Sequence, residues 1–273
     1  MAHVHPTAQI MDGEGDDVEL ADDVVIGPHC VLGGRVRIGA GTRLIGHVYG
    51  QGPLTIGEAN TVYPFACLGF APQDLKWDPD DTGAGLEIGD RNTFRETVTI
   101  HRATSHDTPT TIGDDNYFMA VSHAGHDCRV GDGCVLANNV ALGGHVELED
   151  RVTIGGATVI HQFVRIGRGA MLSGGVGTGL DVPPFCTLTG INVVGSLNVI
   201  GLRRSGMSRD EINDLRWAYR QMYREHRHPK EAIDTLREYT DRPRIAEIIA
   251  FIESTSRGLC SRPRKYTPRN SRT

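Results

Sequence analysis

Residues 112–172 have the sequence IGDDNYFMAVSHAGHDCRVGDGCVLANNVALGGHVELEDRVTIGGATVIHQFVRIGRGAML, in which every sixth residue is hydrophobic. A repeat of six fits neither the period of an α-helix nor that of an amphipathic strand. It is typical of a parallel β-helix whose coils each contain three short strands. A single hexad means nothing alone, but an unbroken series predicts a long stack of coils. The series is Ile112, Phe118, Ala124, Val130, Leu136, Leu142, Leu148, Ile154, Ile160, Ile166 and Leu172.

The same spacing continues upstream in shorter series. A glycine often follows the aliphatic residue, where it relieves a tight corner of the backbone. The residue two before it is small or β-branched, as in Val24, Cys30 and Val140. We therefore predict an all-β fold with an α-helical C-terminus: a left-handed parallel β-helix of hexapeptide repeats over residues 1–189, then a small helical domain. The upstream series are Leu20, Ile26, Leu32, Ile38 and Leu44; Ile56, Val62 and Leu68; and Ile88, Phe94 and Ile100.

Two segments interrupt the hexads. Residues 70–85, FAPQDLKWDPDDTGAG, are too polar and too rich in Pro, Gly and Asp to form the side of a coil. Residues 102–110 are a second interruption. We expect both segments to project from the β-helix as loops, and loops on a rigid scaffold are where binding residues concentrate.

Helical spacing replaces the hexads in the last third of the chain. Ser208 and Glu211 form a capping box ahead of an apolar helix face, and Pro229 and Pro243 can each open a further helix. We predict a helical domain over residues 190–259 that caps the open end of the β-helix, as a solenoid requires. Residues 260–273 are basic, and we expect them to form a disordered tail.

Composition excludes several classes of protein. No apolar run approaches the length of a membrane span, and the N-terminus lacks the features of a signal peptide. The six cysteines show neither paired spacing nor a zinc pattern, and Cys30, Cys128 and Cys134 fall on small inward-facing positions of the hexads. We therefore expect a cytoplasmic protein with reduced thiols and no stable membrane insertion.

Charge is divided unevenly along the chain. Residues 1–189 contain 11 Lys and Arg against 24 Asp and Glu, a net of −13, whereas residues 190–273 contain 17 against 10, a net of +7. On composition alone this basic third is either a solvated helix surface or the binding surface of an acidic partner. We expect an acidic protein partner and no nucleic acid.

Four of the twelve histidines share one phase of the repeat. With 18 residues in each coil, residues 18 or 36 apart lie above one another, so these four project onto one window of five residues. They are predicted to form a column along one corner of the β-helix, with steps of roughly 4.8 Å between coils. The column comprises His123, His126, His145 and His161, with Gly144 one coil and Gln162 two coils above His126.

Three explanations fit this column. Surface histidines could share the phase by accident. A zinc site is conceivable, since β-helices of the gamma carbonic anhydrase kind bind zinc through histidines; His101 and His106 have one spacing of that pattern, but no histidine stands in residues 64–70. Third, an imidazole could take a proton from a hydroxyl, with Asp127 holding the ring and the N–H of Gly144 holding an oxyanion. We favour the third and predict no metal.

The chain contains the segments HPTA (5–8), QDLKW (73–77), IGDRNTFRETVTIHR (88–102), SHAGHDCRVGDGCVLANN (122–139), GGH (143–145), HQF (161–163), DVPP (181–184) and GLRRSGMSR (201–209). Together they resemble the UDP-N-acetylglucosamine acyltransferases of lipid A biosynthesis, nearly to residue 259. The resemblance implies a homotrimer with sites in clefts between neighbours. It implies transfer of a fatty acyl group, 3-hydroxylated in this family, from acyl carrier protein to the 3-hydroxyl of a UDP-amino sugar. No cofactor is expected because the thioester is already activated.

The resemblance also implies roles for individual residues. His126 corresponds to the general base, Asp127 to its supporting acid and Gly144 to the oxyanion-hole amide. Gly174 falls where the family limits acyl-chain length, and a glycine there implies a groove open to a longer chain. The residues implied to bind substrates are Asp74, Lys76, His123, His145, His161, Gln162, Asn198 and Arg204.

Two residues depart from the family's common pattern. Ile200 stands where an acidic residue is common, and Ser205 follows Arg203 and Arg204 ahead of the glycine. These positions bear on nucleotide and carrier binding rather than on the chemistry. From the sequence three other functions stay open: N-acylation of a UDP-3-amino sugar with the same base, a metal-dependent hydratase on the same fold, and a scaffold without activity.

Overall fold

The computed structural model describes residues 1–11, 13, 15, 17–78, 81–225 and 229–262. Within them, short strands wind into a left-handed parallel β-helix and helices follow it, which confirms the predicted fold class. The strands are β1 (His3–Val4), β2 (Gln9–Ile10), β3 (Asp17–Leu20), β4 (Val25–Ile26), β5 (Val31–Gly33), β6 (Arg35–Ile38), β7 (Arg43–Leu44), β8 (Tyr49–Gln51), β9 (Leu54–Ile56), β10 (Thr61–Val62), β11 (Cys67–Phe70), β12 (Leu86–Ile88), β13 (Thr93–Phe94), β14 (Thr99–His101), β15 (Thr110–Ile112), β16 (Tyr117–Phe118), β17 (His123–Ala124), β18 (Arg129–Val130), β19 (Val135–Leu136), β20 (Ala141–Leu142), β21 (Glu147–Leu148), β22 (Thr153–Ile154), β23 (Val159–Ile160), β24 (Arg165–Ile166), β25 (Met171–Leu172), β26 (Gly177–Thr178), β27 (Cys186–Gly190) and β28 (Val193–Leu197).

Each side of the β-helix is one sheet of strands from successive coils. Sheet A has the order β1-β4-β7-β10-β13-β16-β19-β22-β25-β27-β28, sheet B the order β2-β5-β8-β11-β14-β17-β20-β23-β26, and sheet C the order β24-β21-β18-β15-β12-β9-β6-β3. Paired residues on successive coils are 18 apart, as in Val135 with Thr153 and Ala141 with Val159. The predicted length of the coil is therefore confirmed.

The predicted hydrophobic series forms the core. From Ile26 to Leu172, every residue of the series is at most 3% exposed. Leu20 is only half-buried because β3 is the last strand of sheet C and has a neighbour on one side. Burial of each aliphatic side chain contributes roughly 1.5–3 kcal/mol. Cys30, Cys128 and Cys134 are fully buried, as the hexads predict.

An asparagine ladder lines the corner between sheets C and A. Asn60, Asn92 and Asn116 are buried on successive coils. The Oδ1 atom of Asn60 accepts the N–H of Asn92 (2.8 Å), and Oδ1 of Asn92 accepts the N–H of Asn116 (2.8 Å). The Oδ1 atom of Asn116 then accepts the N–H of Cys134 (2.7 Å). The ladder satisfies backbone donors where the chain turns away from its sheets.

Both predicted interruptions occur. Thr61 pairs with Thr93, 32 residues later, which is 14 more than one coil. Thr99 pairs with His123, 24 residues later, which is six more than one coil. The first excursion leaves sheet B after β11 and carries the fully exposed Leu75, and the second leaves it after β14. Both excursions therefore emerge on the side of the β-helix that carries the histidines.

The β-helix ends in a hairpin that the sequence did not indicate. Strand β27 pairs in parallel with β25 and antiparallel with β28. The chain reverses at Asn192, which has a φ of 55°. Sheet A therefore continues past residue 189, where the helical domain was predicted to begin.

The described residues form four α-helices: α1 (Val199–Arg204), α2 (Arg209–Arg220), α3 (Ile233–Arg237) and α4 (Pro243–Glu253). A π-helical turn (Gln221–Glu225) and a 3₁₀ turn (Pro229–Ala232) lie between α2 and α3. The predicted capping box of Ser208 and Glu211 opens α2, and Pro243 is the first residue of α4. The buried residues of the helices join the core of the β-helix in one cluster.

After α4 the chain returns to the end of the β-helix. Cys260 is fully buried and its N–H donates to the carbonyl of Asp181 (2.9 Å), while the N–H of Ser261 donates to the carbonyl of Asn192 (3.0 Å). These first residues of the predicted tail are thus held in place, and residues 263–273 lie outside the described residues. In the part of the chain that the structure describes, no helix has the length and apolarity to cross a membrane.

Candidate active site

The predicted histidine column lies at the corner where sheet B passes into sheet C. His123 is on β17, and the turns after β17, β20 and β23 carry His126, His145 and His161. Backbone hydrogen bonds stack these turns: the N–H of His145 donates to the carbonyl of His126 (2.9 Å). The structure therefore places all four histidines at one corner, as their shared phase predicts.

His126 and Asp127 form a close pair. The Nδ1 atom of His126 lies 2.7 Å from Oδ2 of Asp127, and both side chains are mostly buried. Since a carboxylate only accepts hydrogen bonds, Nδ1 is the donor and Nε2 keeps its lone pair. This is the arrangement that a general base requires, because Nε2 can take a proton while Asp127 orients the ring.

The carboxylate of Asp127 is held in its ionised form. Burial acts to raise the pKa of Asp127, but hydrogen bonds from His126, Thr104 and Ser105 outweigh it and hold that pKa well below its usual value. A fixed negative charge beside Nδ1 stabilises the imidazolium that forms when Nε2 takes a proton. Thr104 and Ser105 lie in the second excursion, and the sequence offered no signal for their contact with Asp127.

Gly144 brings the main chain against the ring of His126. A Cβ atom on Gly144 would lie 2.6 Å from both Nε2 and Cε1 of that ring, so a side chain there would displace the imidazole. The N–H of Gly144 has no acceptor among the described residues. A backbone donor next to the basic nitrogen is placed to hold negative charge that develops on a reacting oxygen.

His145 completes the wall of the column beside this pair. Its ring stacks on Phe163 with centroids 4.4 Å apart, and it meets His126 edge-on at 5.2 Å. Burial lowers the pKa of His145, although the charges of Asp127 and Asp74 act against the shift. A cavity of about 380 Å³ opens here, lined in part by Asp127, His145 and Phe163. The ring of His145 is thus available to a ligand in this cavity.

His123 has a buried neighbour that sequence reasoning did not place in the column. Thr99 Oγ1 lies 2.8 Å from Nδ1 of His123, and the ring of His101 meets that of His123 edge-on at 5.0 Å. Burial, together with the charges of nearby histidines and Arg102, lowers the pKa of His101 to about 4, so this ring is neutral at pH 7. Its coil position was obscured by the six extra residues of the second excursion. A 24-residue offset would have revealed it.

His161 and Gln162 stand at the outer end of the column, where both are exposed. The guanidinium of Arg257, from the segment after α4, lies 3.1 Å from Nδ1 of His161 and also donates to the carbonyl of Gly179 (3.3 Å). Gly174 is on a different corner, because it follows β25 in the turn from sheet A to sheet B. A single chain therefore does not bring Gly174 to the histidines.

The first excursion carries the two predicted loop residues, Asp74 and Lys76, and both are exposed. Oδ1 of Asp74 accepts the N–H of Lys76 (3.0 Å), and its carbonyl accepts the N–H of Trp77 (3.0 Å). The charge of Asp74 acts on the pKa of His145, so the loop reaches towards the column. The prediction that this loop projects near the site is consistent with that contact.

Asn198 and Arg204 lie away from the column, on the side of sheet A. Asn198 caps α1 by accepting the N–H of Gly201 (3.0 Å), and its amide group donates to the carbonyl of Gly169 (3.0 Å). Arg204 is exposed at the other end of α1. Both residues line a cavity of about 460 Å³ that also contains Arg151, Arg168 and Arg244. This basic cavity is separate from the one beside the histidines.

The residues of the column fit a metal ion poorly. His126, Asp127 and His145 offer ligand atoms within 4.8 Å of one another, and no other such group occurs in the described part of the chain. However, both oxygens of Asp127 already accept hydrogen bonds from Thr104, and one also accepts from His126. The histidines five residues apart do not converge either, since His106 contacts Asp81 (3.2 Å) while His101 faces His123.

Two family models match the chain. Residues 109–144 match the bacterial transferase hexapeptide model, which describes six repeats. Residues 181–260 match the model described as UDP-N-acetylglucosamine O-acyltransferase, domain 2. The two matches cover part of the β-helix with the His126–Asp127 pair and the whole C-terminal part.

Curated proteins and solved structures agree with these matches. The acyl-[acyl-carrier-protein]–UDP-N-acetylglucosamine O-acyltransferase of Thermodesulfovibrio yellowstonii is 45% identical over 263 residues, which cover 95% of this chain and 100% of the relative. The UDP-N-acetylglucosamine acyltransferase of Francisella novicida has a TM-score of 0.90 at 32% identity, covering 95% of this chain and 94% of the other. The UDP-N-acetylglucosamine O-acyltransferase of Moraxella catarrhalis has a TM-score of 0.87 at 41% identity, covering 94% and 99%. The chain therefore belongs to the UDP-N-acetylglucosamine O-acyltransferase family.

Proposed function

We propose that this chain transfers an acyl group from acyl carrier protein to a hydroxyl of UDP-N-acetylglucosamine. The observation that carries the proposal is the contact between His126 Nδ1 and the ionised Asp127, with Gly144 against the Nε2 edge of the same ring. A base and a backbone donor on adjacent coils are the two groups that acyl transfer to a hydroxyl requires. The names of the relatives supply the two substrates.

The reaction proceeds through a tetrahedral intermediate. Nε2 of His126 takes the proton of the sugar hydroxyl as its oxygen attacks the thioester carbonyl. The N–H of Gly144 donates to the resulting oxyanion. When the intermediate collapses, the C–S bond breaks and the imidazolium returns its proton to the departing thiolate. The products are an ester and a free thiol, and His126 is regenerated without a cofactor.

We infer further that the acceptor is the 3-hydroxyl and that the acyl group is a 3-hydroxylated fatty acyl, as the family resemblance implies. The product would then be the first intermediate of lipid A biosynthesis. Asp74, Lys76, His123, His145, His161 and Gln162 would hold the sugar nucleotide and acyl group. The six free cysteines, all of them in described segments, support a reducing, cytoplasmic location.

We propose that the acyl carrier protein approaches the basic C-terminal third. Arg203, Arg204 and Arg209 are exposed, and none has an ion-pair partner among the described residues. Acyl carrier proteins are acidic, so such a surface would accelerate their association. The site itself would form between protomers of a homotrimer, because the basic cavity with Asn198 and Arg204, and Gly174, lie on corners that do not meet the histidines within one chain.

The proposal is tested by supplying the purified protein with UDP-N-acetylglucosamine, the corresponding 3-amino sugar nucleotide and a mixture of acyl carrier proteins. Mass spectrometry should detect an O-acylated product from the first acceptor. His126→Ala should lower kcat/KM by about a thousandfold, because general base catalysis contributes roughly 10²–10⁴-fold. The matched control is His29→Ala, at an exposed histidine on another corner, which should retain full activity. A His126→Ala variant with the wild-type rate would refute the assignment, and product from the amino sugar alone would replace O-transfer with N-transfer.

A further inference from the structure

A single segment outside the histidine column holds the Asp127 carboxylate. The Oγ1 of Thr104 donates to Oδ2 of Asp127 (2.7 Å), and the N–H of Thr104 lies 3.1 Å from each carboxylate oxygen. The N–H of Ser105 donates to Oδ1 (3.1 Å). Together with His126, these donors use the lone pairs of both oxygens, so the carboxylate has one orientation.

The hydroxyl of Thr104 contacts the same oxygen that His126 uses. Oδ2 lies 2.7 Å from Nδ1 of His126 and 3.6 Å from Nε2 of His145. These two imidazoles are the titratable groups in contact with the carboxylate, and Arg129 lines the adjoining cavity. Because Thr104 fixes Oδ2, the carboxylate cannot turn from His126 towards His145. The hydroxyl thereby decides which imidazole is oriented as the base.

Thr104 is itself fixed by the ends of the loop that carries Asp74 and Lys76. The guanidinium of Arg102 donates to the carbonyl of Gly69 (3.3 Å), before the loop, and to that of Asp81 (3.1 Å), near its end. The N–H of Ala103 donates to the carbonyl of Gly85 (3.0 Å). Arg102 is only 6% exposed, and burial lowers its pKa although Asp81 opposes the shift. The contacts join the loop and Asp127 to one rigid segment.

We propose that Thr104 is a positioning residue for the acyl transfer, whose hydroxyl holds the Asp127 carboxylate against His126. This inference rests on the proposed role of His126 as general base. Thr104 does not touch the reacting atoms and acts through Asp127. Arg102 keeps the segment in place, so the substrate loop and the catalytic pair share one support.

Two substitutions at Thr104 separate the hydroxyl from the shape of the side chain. Thr104→Val keeps the shape and removes the donor, and kcat should fall about tenfold because a charge-assisted hydrogen bond to the carboxylate is lost. Thr104→Ser keeps the donor and should stay within about threefold of the wild-type kcat. KM for both substrates should change less than about twofold in either variant, since binding groups are untouched. Circular dichroism and thermal melts establish that the variants fold, and Thr104→Ala replaces the valine variant if that one does not.

The pH profile gives a readout that a purely structural role would not change. Without the Thr104 donor, Oδ2 carries more negative charge towards His126 and favours the protonated imidazole. The acid limb of the kcat/KM profile should therefore move to higher pH in Thr104→Val and stay in place in Thr104→Ser. In an Asp127→Ala background, Thr104→Val should cost less than about twofold, because there is no carboxylate left to position.

The inference is overturned by wild-type kcat and pH profile in Thr104→Val, by an equal loss in Thr104→Ser, or by a full loss that persists in the Asp127→Ala background. It is also overturned if the loss in Thr104→Val lies in KM alone. An inactive wild-type protein would instead contradict the proposed function, so the two failures are distinguishable.

Discussion

At the scale of the residue, the base and the oxyanion donor are one structural unit. The ring of His126 fits against Gly144 because glycine leaves no Cβ at a position 2.6 Å from Nε2 and Cε1. The hydrogen bond from the N–H of His145 to the carbonyl of His126 fixes the spacing of the two coils. A change that moves the ring therefore also moves it away from the backbone donor that the intermediate needs.

Gly144→Ala should lower kcat by about 10²–10³-fold, a loss comparable to removal of an oxyanion-hole donor. The added Cβ forces the imidazole out of line, whereas the backbone of Gly144 has no positive φ that alanine would strain. The thermal melting temperature should consequently stay close to that of the wild-type protein. Steady-state kinetics and a thermal melt check the two expectations.

The matched control for this variant is Gly190→Ala, whose Cβ would meet only the Cβ of Val193 at 3.7 Å. It should keep both activity and stability. An active Gly144→Ala variant would show that the ring tolerates displacement and would contradict the geometry proposed for the base.

At the scale of the element, each coil is held by contacts to the next. The asparagine ladder does this at the corner between sheets C and A, where side-chain oxygens replace missing backbone acceptors. Loss of one member leaves a buried N–H without a partner, and the penalty for such a group is about 1–3 kcal/mol.

Asn92→Ala should lower the free energy of unfolding by about 2–4 kcal/mol, because it removes the acceptor for the N–H of Asn116 and the donor to the carbonyl of Gly113. The same variant should show a lower thermal midpoint without loss of rate below that temperature. Asn138→Ala, at an exposed asparagine, is the control and should melt like the wild type. Equal midpoints for the two variants would mean that the ladder does not contribute to stability.

Sequence spacing predicted most of the elements, and the exceptions have physical causes. The hexads identify the core because one residue in six must point inwards, and the capping box identifies the start of α2. The hairpin of β27 and β28 and the short helix α1 were missed, because their apolar residues follow neither the six-residue nor a sustained helical period. The asparagine ladder was missed because the two excursions separate Asn60, Asn92 and Asn116 by unequal distances.

At the scale of the whole molecule, the residues that resemble the family's site fall on more than one corner. The phase of the repeat correctly grouped His126 with the other histidines. It could not show that Arg204 and Gly174 lie elsewhere, because a repeat specifies contacts within one chain and carries no information about a neighbour. A site made of both sets requires a second copy of the chain, as in a closed ring of identical subunits.

Mixed assemblies test this arrangement. If His126 of one protomer works with Arg204 of the next, then His126→Ala and Arg204→Ala chains should complement each other when refolded together. Random mixing at equal amounts leaves about a quarter of the interfaces with both residues intact, so activity should return to about a quarter of the wild-type value. The assay uses substrate below KM, where each variant alone is expected to be weak, and light scattering should report about three times the chain mass of 29.7 kDa. Mixing His126→Ala with Asp127→Ala is the control and should restore nothing, since both residues belong to the same corner. Activity no higher than the average of the separate variants would place the whole site within one chain.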